Sequence, residues 1–145
     1  MSIHEFYDKL LNLQLEKLKE KAVESNKDFI VALNQAQLHD GVTFKGDLIQ
    51  PSYTLPYLKK KLKLSSYQAP AGTPDLYLNG DFYAGMDIDV IDRNGEYNII
   101  DWDELAGFKT NRYTDLLGLS VDSVRMAQIP CTNTLIELIK NELSN

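Results

Sequence analysis

Cysteine and histidine are almost missing from this chain, and so are long apolar runs. The single cysteine among 145 residues, Cys131, has no partner for an internal disulfide. That usage fits a reducing compartment, or a particle assembled in one. Two histidines, His4 and His39, leave little material for acid–base catalysis or imidazole metal ligation. His39 falls at a predicted helix end, where the helix dipole accounts for it. No uninterrupted apolar stretch approaches the roughly 20 residues that cross a bilayer. The opening stretch, from Met1 to Lys21, mixes charged and apolar residues and does not read as a signal peptide. We therefore expect a soluble protein with no membrane contact.

Positive charge is also in short supply. A net charge of −6 and a pI near 4.8 argue against specific nucleic-acid binding, which needs a basic surface to neutralise phosphates. The one dense basic run is Lys59-Lys60-Lys61-x-Lys63. With Tyr57, Leu58 and Leu62 beside it, the run reads as the solvated face of an amphipathic helix.

Phosphate-cradling glycine loops, the Gly-x-Ser-x-Gly elbow and His-Glu-x-x-His are all absent. Cys131 lies between Pro130 and an apparent helix start, but a catalytic thiol needs an activating partner and none is evident. No cofactor and no enzymatic activity are expected. The best case for a metal is Asp87, Asp89, Asp92, Asp101, Asp103 and Glu104. From Val90 to Asp101 the chain matches part of a calcium loop, with Asp92, Asn94, Gly95 and Asp101 at its third, fifth, sixth and twelfth positions. Val90 stands where the first acidic ligand belongs. A hairpin with one wet face explains the same residues more simply.

What remains is ordinary globular composition, 43% hydrophobic and 25% charged, at the length of one domain. The patterning predicts an α+β fold in one domain, residues 1–40 forming a helical arm and 41–145 an α+β body. Apolar residues at Ile3, Tyr7, Leu11, Leu15, Leu18, Ala22, Phe29, Leu33 and Ala36 follow a helical period. Ser25-Asn26 marks a break, and Gly41 is placed to end the last turn. A short hairpin or extended piece is expected over 41–51, a helix over 55–64, a loop over 65–74 and a weak helix over 76–84. Met86-Asp87-Ile88-Asp89-Val90 alternates as a strand, Asn94-Gly95 supplies a tight turn, and Tyr97-Asn98-Ile99-Ile100 returns. Asp101 or Asp103 is placed to start a short helix through Phe108. Ser120-x-Asp122 caps another, and a final helix runs from Thr132 or Asn133 to Leu143.

Tyr53, Tyr57, Tyr67, Tyr77, Phe82 and Tyr83 crowd the middle of the chain beside proline- and glycine-rich loops. Tyrosine joins a large apolar body to a polar tip, so these six are the interface candidates, with core packing as the competing explanation.

The segment Gly46-Asp47-Leu48-Ile49-Gln50, then Tyr53, Tyr57, and the run Pro74-Asp75-Leu76-Tyr77-Leu78-Asn79-Gly80-Asp81-Phe82-Tyr83 with Met86 resemble small structural proteins of tailed bacteriophages of Bacteroidetes hosts. Leu119-Ser120-x-Asp122-Ser123 before a C-terminal helix is similar too. The layout also resembles phage neck and tail-completion proteins, although Gly80-Asp81-Phe82 departs from their Gly-x-Leu-Arg pattern. The resemblance spans roughly residues 40–125. It implies a non-enzymatic virion subunit, present as copies of itself in a ring at the head–tail connector and touching portal, neck or tail proteins. The competing expectations are a small metal-dependent phage enzyme and a host-directed binding protein.

Overall fold

A computed structural model describes residues 1–64, 66–77, 80–91, 96–103 and 106–145. The expected Asn94-Gly95 turn, Asp92 and Glu104 lie outside the described residues. The fold is α+β, with helices at both ends of the chain and, among the described residues, one two-stranded antiparallel sheet.

The N-terminal helical region divides into three. Helix α1, Ile3–Leu11, opens on a capping box in which Ser2 Oγ accepts from the Glu5 amide (3.1 Å) and the Glu5 carboxylate accepts from the Ser2 amide. Residues 12–14 break the helix, which the period alone did not reveal. Helix α2, Leu15–Ser25, is separated from α3, Lys27–His39, at Asn26, where the break was expected. Asn26 is locked from the side. Its amide nitrogen donates to the Ala22 carbonyl (2.7 Å) and to Thr134 Oγ1 (3.0 Å), and that hydroxyl donates to the Pro130 carbonyl (3.0 Å). Gly41 ends α3 with φ +73°, as expected, and a Cβ there would meet Thr73 at 2.5 Å.

Helix α4, Leu55–Lys61, is shorter than expected, and α5 is a single turn, Asp81–Ala84. Its preceding residue, Gly80, is left-handed at φ +89°, so a helix over 76–84 does not form. Strands β1, Met86–Ile91, and β2, Glu96–Asp101, pair in the expected hairpin, from Met86 opposite Asp101 to Ile91 opposite Glu96. Asp101 ends a strand and starts no helix. Helix α6, Ala106–Arg112, follows later. The two expected C-terminal helices are one, α7, Val121–Ser144, capped by Ser120 Oγ accepting from the Ser123 amide (3.3 Å). Pro130 sits inside it. Proline deletes one rung of the helical ladder, and packing against α2 and α3 holds the helix together across the gap.

The core lies around α3, buried on two faces. Val31 and Leu38 pack with Ile49, Leu76, Phe82, Tyr83, Met86, Tyr113 and Leu116. Ile30 and Leu33 pack with Ala127 of α7. Residues 27–39 thus belong to the central core, and of the three N-terminal helices α1 alone has no buried residue. Polar side chains of α3 tie down the segment after α6. The buried Asn34 donates to the Leu116 carbonyl (2.9 Å) and accepts from the Gly118 amide (3.1 Å). Gln37 donates to the Gly118 carbonyl (3.0 Å) and accepts from the Ser120 amide (2.8 Å).

Asn34→Ala leaves two buried backbone groups without partners, so urea unfolding should show a loss of about 2–4 kcal/mol. A loss below about 0.5 kcal/mol would mean that Asn34 does not hold this segment.

Candidate functional site

The basic run on α4 divides. Lys59, Lys60 and Lys63 stay in solvent, whereas Lys61 is only 1% exposed. That corrects the reading of a wholly solvated face. Lys61 lies four residues after Tyr57, on the side of α4 turned to the protein. Its ammonium meets Asp75 Oδ1 at 2.8 Å and donates to the Tyr77 carbonyl, with the rings of Tyr67 and Tyr53 at 5.6 and 6.0 Å. Asp75 is fully buried. Two buried charges hold together only with such geometry and further hydrogen bonds.

Those bonds come from the tyrosines. Tyr53 donates its hydroxyl proton to Asp75 Oδ1 (3.0 Å) and accepts from the amides of Asp75 (3.2 Å) and Leu76 (3.1 Å). The Tyr77 amide donates to the same carboxylate oxygen (3.3 Å), and the Tyr83 hydroxyl donates to the Asp75 carbonyl. Tyr67 places its hydroxyl against the carbonyls of Pro70 (2.9 Å) and Thr73 (2.8 Å), closing the loop over the pair. Leu76 takes a left-handed backbone, φ +57°, which the Tyr53 hydroxyl secures. Burial, and then the charge of Asp75, push the Tyr53 and Tyr83 hydroxyls far above the ordinary phenol range. Near neutrality they keep their protons and act as engaged hydrogen-bond donors.

Of the six interface candidates, Phe82 (1% exposed) and Tyr83 (6%) are core residues with no surface for a partner, which corrects that expectation. Tyr67 and Tyr77 are half-buried, Tyr77 in ring contact with Tyr83 and with His39. His39 also packs edge-on against Tyr83, so the aromatic cluster as well as the helix end explains its place. Tyr53 and Tyr57, edge-to-face at 4.7 Å, line a cleft of about 370 Å³. Asp81, Asp103, Lys109 and Arg112 share its lining.

Behind this cleft stands the base of the hairpin. Asp101 Oδ1 accepts from the Asp103 amide (2.7 Å), and Lys109 lies 3.9 Å from Asp103 and 4.5 Å over the Phe82 ring. Gly85 fits so closely that a Cβ would fall 2.4 Å from the Asp101 carboxylate. Burial raises the Asp101 carboxyl to about 6, with the Asp103 charge adding to it, and burial lowers the Lys109 ammonium. Asp101 stands opposite Met86, while Ile91, the neighbour of Asp92, stands opposite Glu96 at the other end, roughly 17 Å along the strand. Of the calcium-loop positions, Asp92, Asn94 and Gly95 lie outside the described residues. Among the described residues no three His, Cys, Asp or Glu side chains form a metal-binding group.

The sequence reading missed the apolar residues left on the surface. Ile3 (89% exposed), Phe6, Tyr7, Leu10 and Leu11 (66%) share one face of α1 and are all exposed. Trp102, Phe108, Met126 and Ile129 are exposed elsewhere. The period of α1 was visible, but nothing in a sequence says whether a helical stripe is covered by its own chain. Among the described residues no helix is long and apolar enough to cross a membrane. No protein family, curated protein or solved structure shows significant similarity to this chain.

Lys61→Met should lose about 3–5 kcal/mol in urea unfolding, because it leaves Asp75 charged and buried alone, and adding Asp75→Asn should restore part of the loss. An unchanged single variant would show that the pair is not a keystone. Asp101 is protonated more readily in the folded chain than in the unfolded one, where it ionises near the ordinary 3.8. Its stabilising share is complete below that value and disappears as pH rises through about 6. Asp101→Asn should therefore flatten the fall in stability between pH 4 and 6, about the window set by those two values. An identical pH profile in the variant contradicts this.

Proposed function

We propose that this chain is a structural subunit working through protein–protein contacts, and that the assembly it builds is the head–tail connector or tail-completion ring of a tailed bacteriophage. One observation carries the first half: the apolar stripe of α1. Apolar positions 3, 6, 7, 10 and 11 are the i, i+3, i+4, i+7, i+8 pattern of a helix that lies on another surface. No residue of α1 is buried. Soluble monomers rarely leave such a contiguous face in water, and a partner chain is the usual cover.

The second half rests on the resemblance of the central segment. Much of that run proves to be framework. Asp75, Leu76, Phe82, Tyr83 and Met86 are buried, so a likeness there is a likeness of fold. The polar groups nearby are engaged in that framework, which suits a subunit that must keep its shape under load. In a ring each copy offers one surface to the copy ahead and another to the copy behind, closing by rotation. The net charge of −6 would let a DNA-filled channel pass its cargo without adhesion.

Sedimentation velocity of the full chain should show a discrete oligomer, and Phe6→Asp with Leu10→Asp should reduce it to monomer. The unfolding free energy should stay within about 0.5 kcal/mol of the parent under matched monomeric conditions, since α1 has no core residue. A parent that is monomeric at every concentration up to about 100 μM contradicts the self-association. Mass spectrometry of purified particles should find the chain at fixed stoichiometry, and its absence contradicts the virion assignment.

A further inference from the structure

The second core cluster is open on one side. Ile30, Leu33 and Ala127 are buried, but Val23, Ile88, Ile99, Leu119 and Cys131 around them are only partly so. The open side is a groove of about 570 Å³ between α2, α3, the hairpin and α7. Every residue lining it is uncharged. Along α7 it runs from Val124 to Cys131, roughly 10 Å of helix, and the stripe of α1 from Ile3 to Leu11 is roughly 12 Å long.

We propose that this groove receives the α1 helix of a neighbouring copy of the same chain. The inference rests on the self-association proposed above and assigns its two faces. A chain's own α1 is held elsewhere. It lies at the C-terminal end of α7, where Lys9 Nζ reaches the Leu143 carbonyl (3.5 Å). Leu143 is roughly 18 Å along α7 from Cys131. The three-residue link 12–14 and the body of α2, packed on α7, keep it there.

Charge does not oppose this pairing at the contact itself. Two copies each carrying −6 repel, and like charges brought together at an interface are costly. An uncharged groove and an arm whose only acidic residues, Glu5 and Asp8, point away from its apolar stripe let the copies meet without that opposition. The arrangement is head to tail. Each copy gives one arm and fills one groove, so a closed ring leaves neither surface bare. It is helix-in-groove recognition, read as anchors at i, i+3, i+4 and i+7.

Cys131 lines the groove and is the chain's one cysteine, so it serves as a built-in reporter. Under mild oxidation, full-length Leu10→Cys and Tyr7→Cys should form disulfides between chains, seen as covalent dimers and longer ladders on non-reducing gels. Adding Cys131→Ser should abolish them, and Glu5→Cys, on the opposite face of α1, should give at least about tenfold less. An oligomer in which neither stripe variant cross-links overturns the groove assignment and leaves self-association standing. A disulfide formed only within one chain overturns it as well, because the arm would then cover its own groove. A monomer at all concentrations overturns both readings.

Discussion

The ion pair between Lys61 and Asp75 is the constraint around which the middle of this protein is arranged. Neither charge reaches water, so neighbouring hydroxyls, amides and a carbonyl compensate them. Tyr53 turns its hydroxyl inward to the carboxylate and two backbone amides, and in doing so ties the end of one loop to the start of the next. Tyr67 and Tyr83 close the remaining sides. Residues 66–77 are a well-defined lid for this reason, although they contain no regular secondary structure. The knot fixes one arrangement of the loop over competing ones.

From that knot the rest follows by packing. Leu76 and Tyr83 carry the knot into the apolar cluster around α3, and Phe82 beside them carries Lys109 and the hairpin base. On its other side α3 reaches α7, but there the cluster is thin and partly open. The molecule is therefore asymmetric in how it is finished: sealed by polar bonding at the centre, unsealed by apolar surface at α1 and along the groove. That division suits the proposed assembly role, rigid where shape must be held and incomplete where a neighbour would complete it.

How far the chain could be read in advance depends on the range of the interactions involved. The hairpin was legible because strand alternation and register are local, and the Ser120 cap and the Gly41 stop were legible for the same reason. Two helices were expected where α7 is one, since the intrinsic cost of Pro130 is local while the packing that overrides it comes from α2 and α3. Lys61 was read as solvent-facing because composition says that lysines are exposed; its partner lies fourteen positions away, across a loop whose course no period announces. Phe82 and Tyr83 were offered as surface for the converse reason. Ile3, Tyr7 and Leu11 were legible as helical positions, but whether such a stripe is covered is a property of the assembled fold and not of its spacing.

The claim on which the account turns is that α1 is ordered and covered by another copy of the chain. Amide hydrogen exchange of residues 3–11, measured on dilute and on concentrated protein, tests it directly. The account predicts fast exchange in dilute solution and protection that grows with concentration, with Val23, Ile88 and Val124 gaining protection in step. Exchange across α1 that is the same at both concentrations would contradict it.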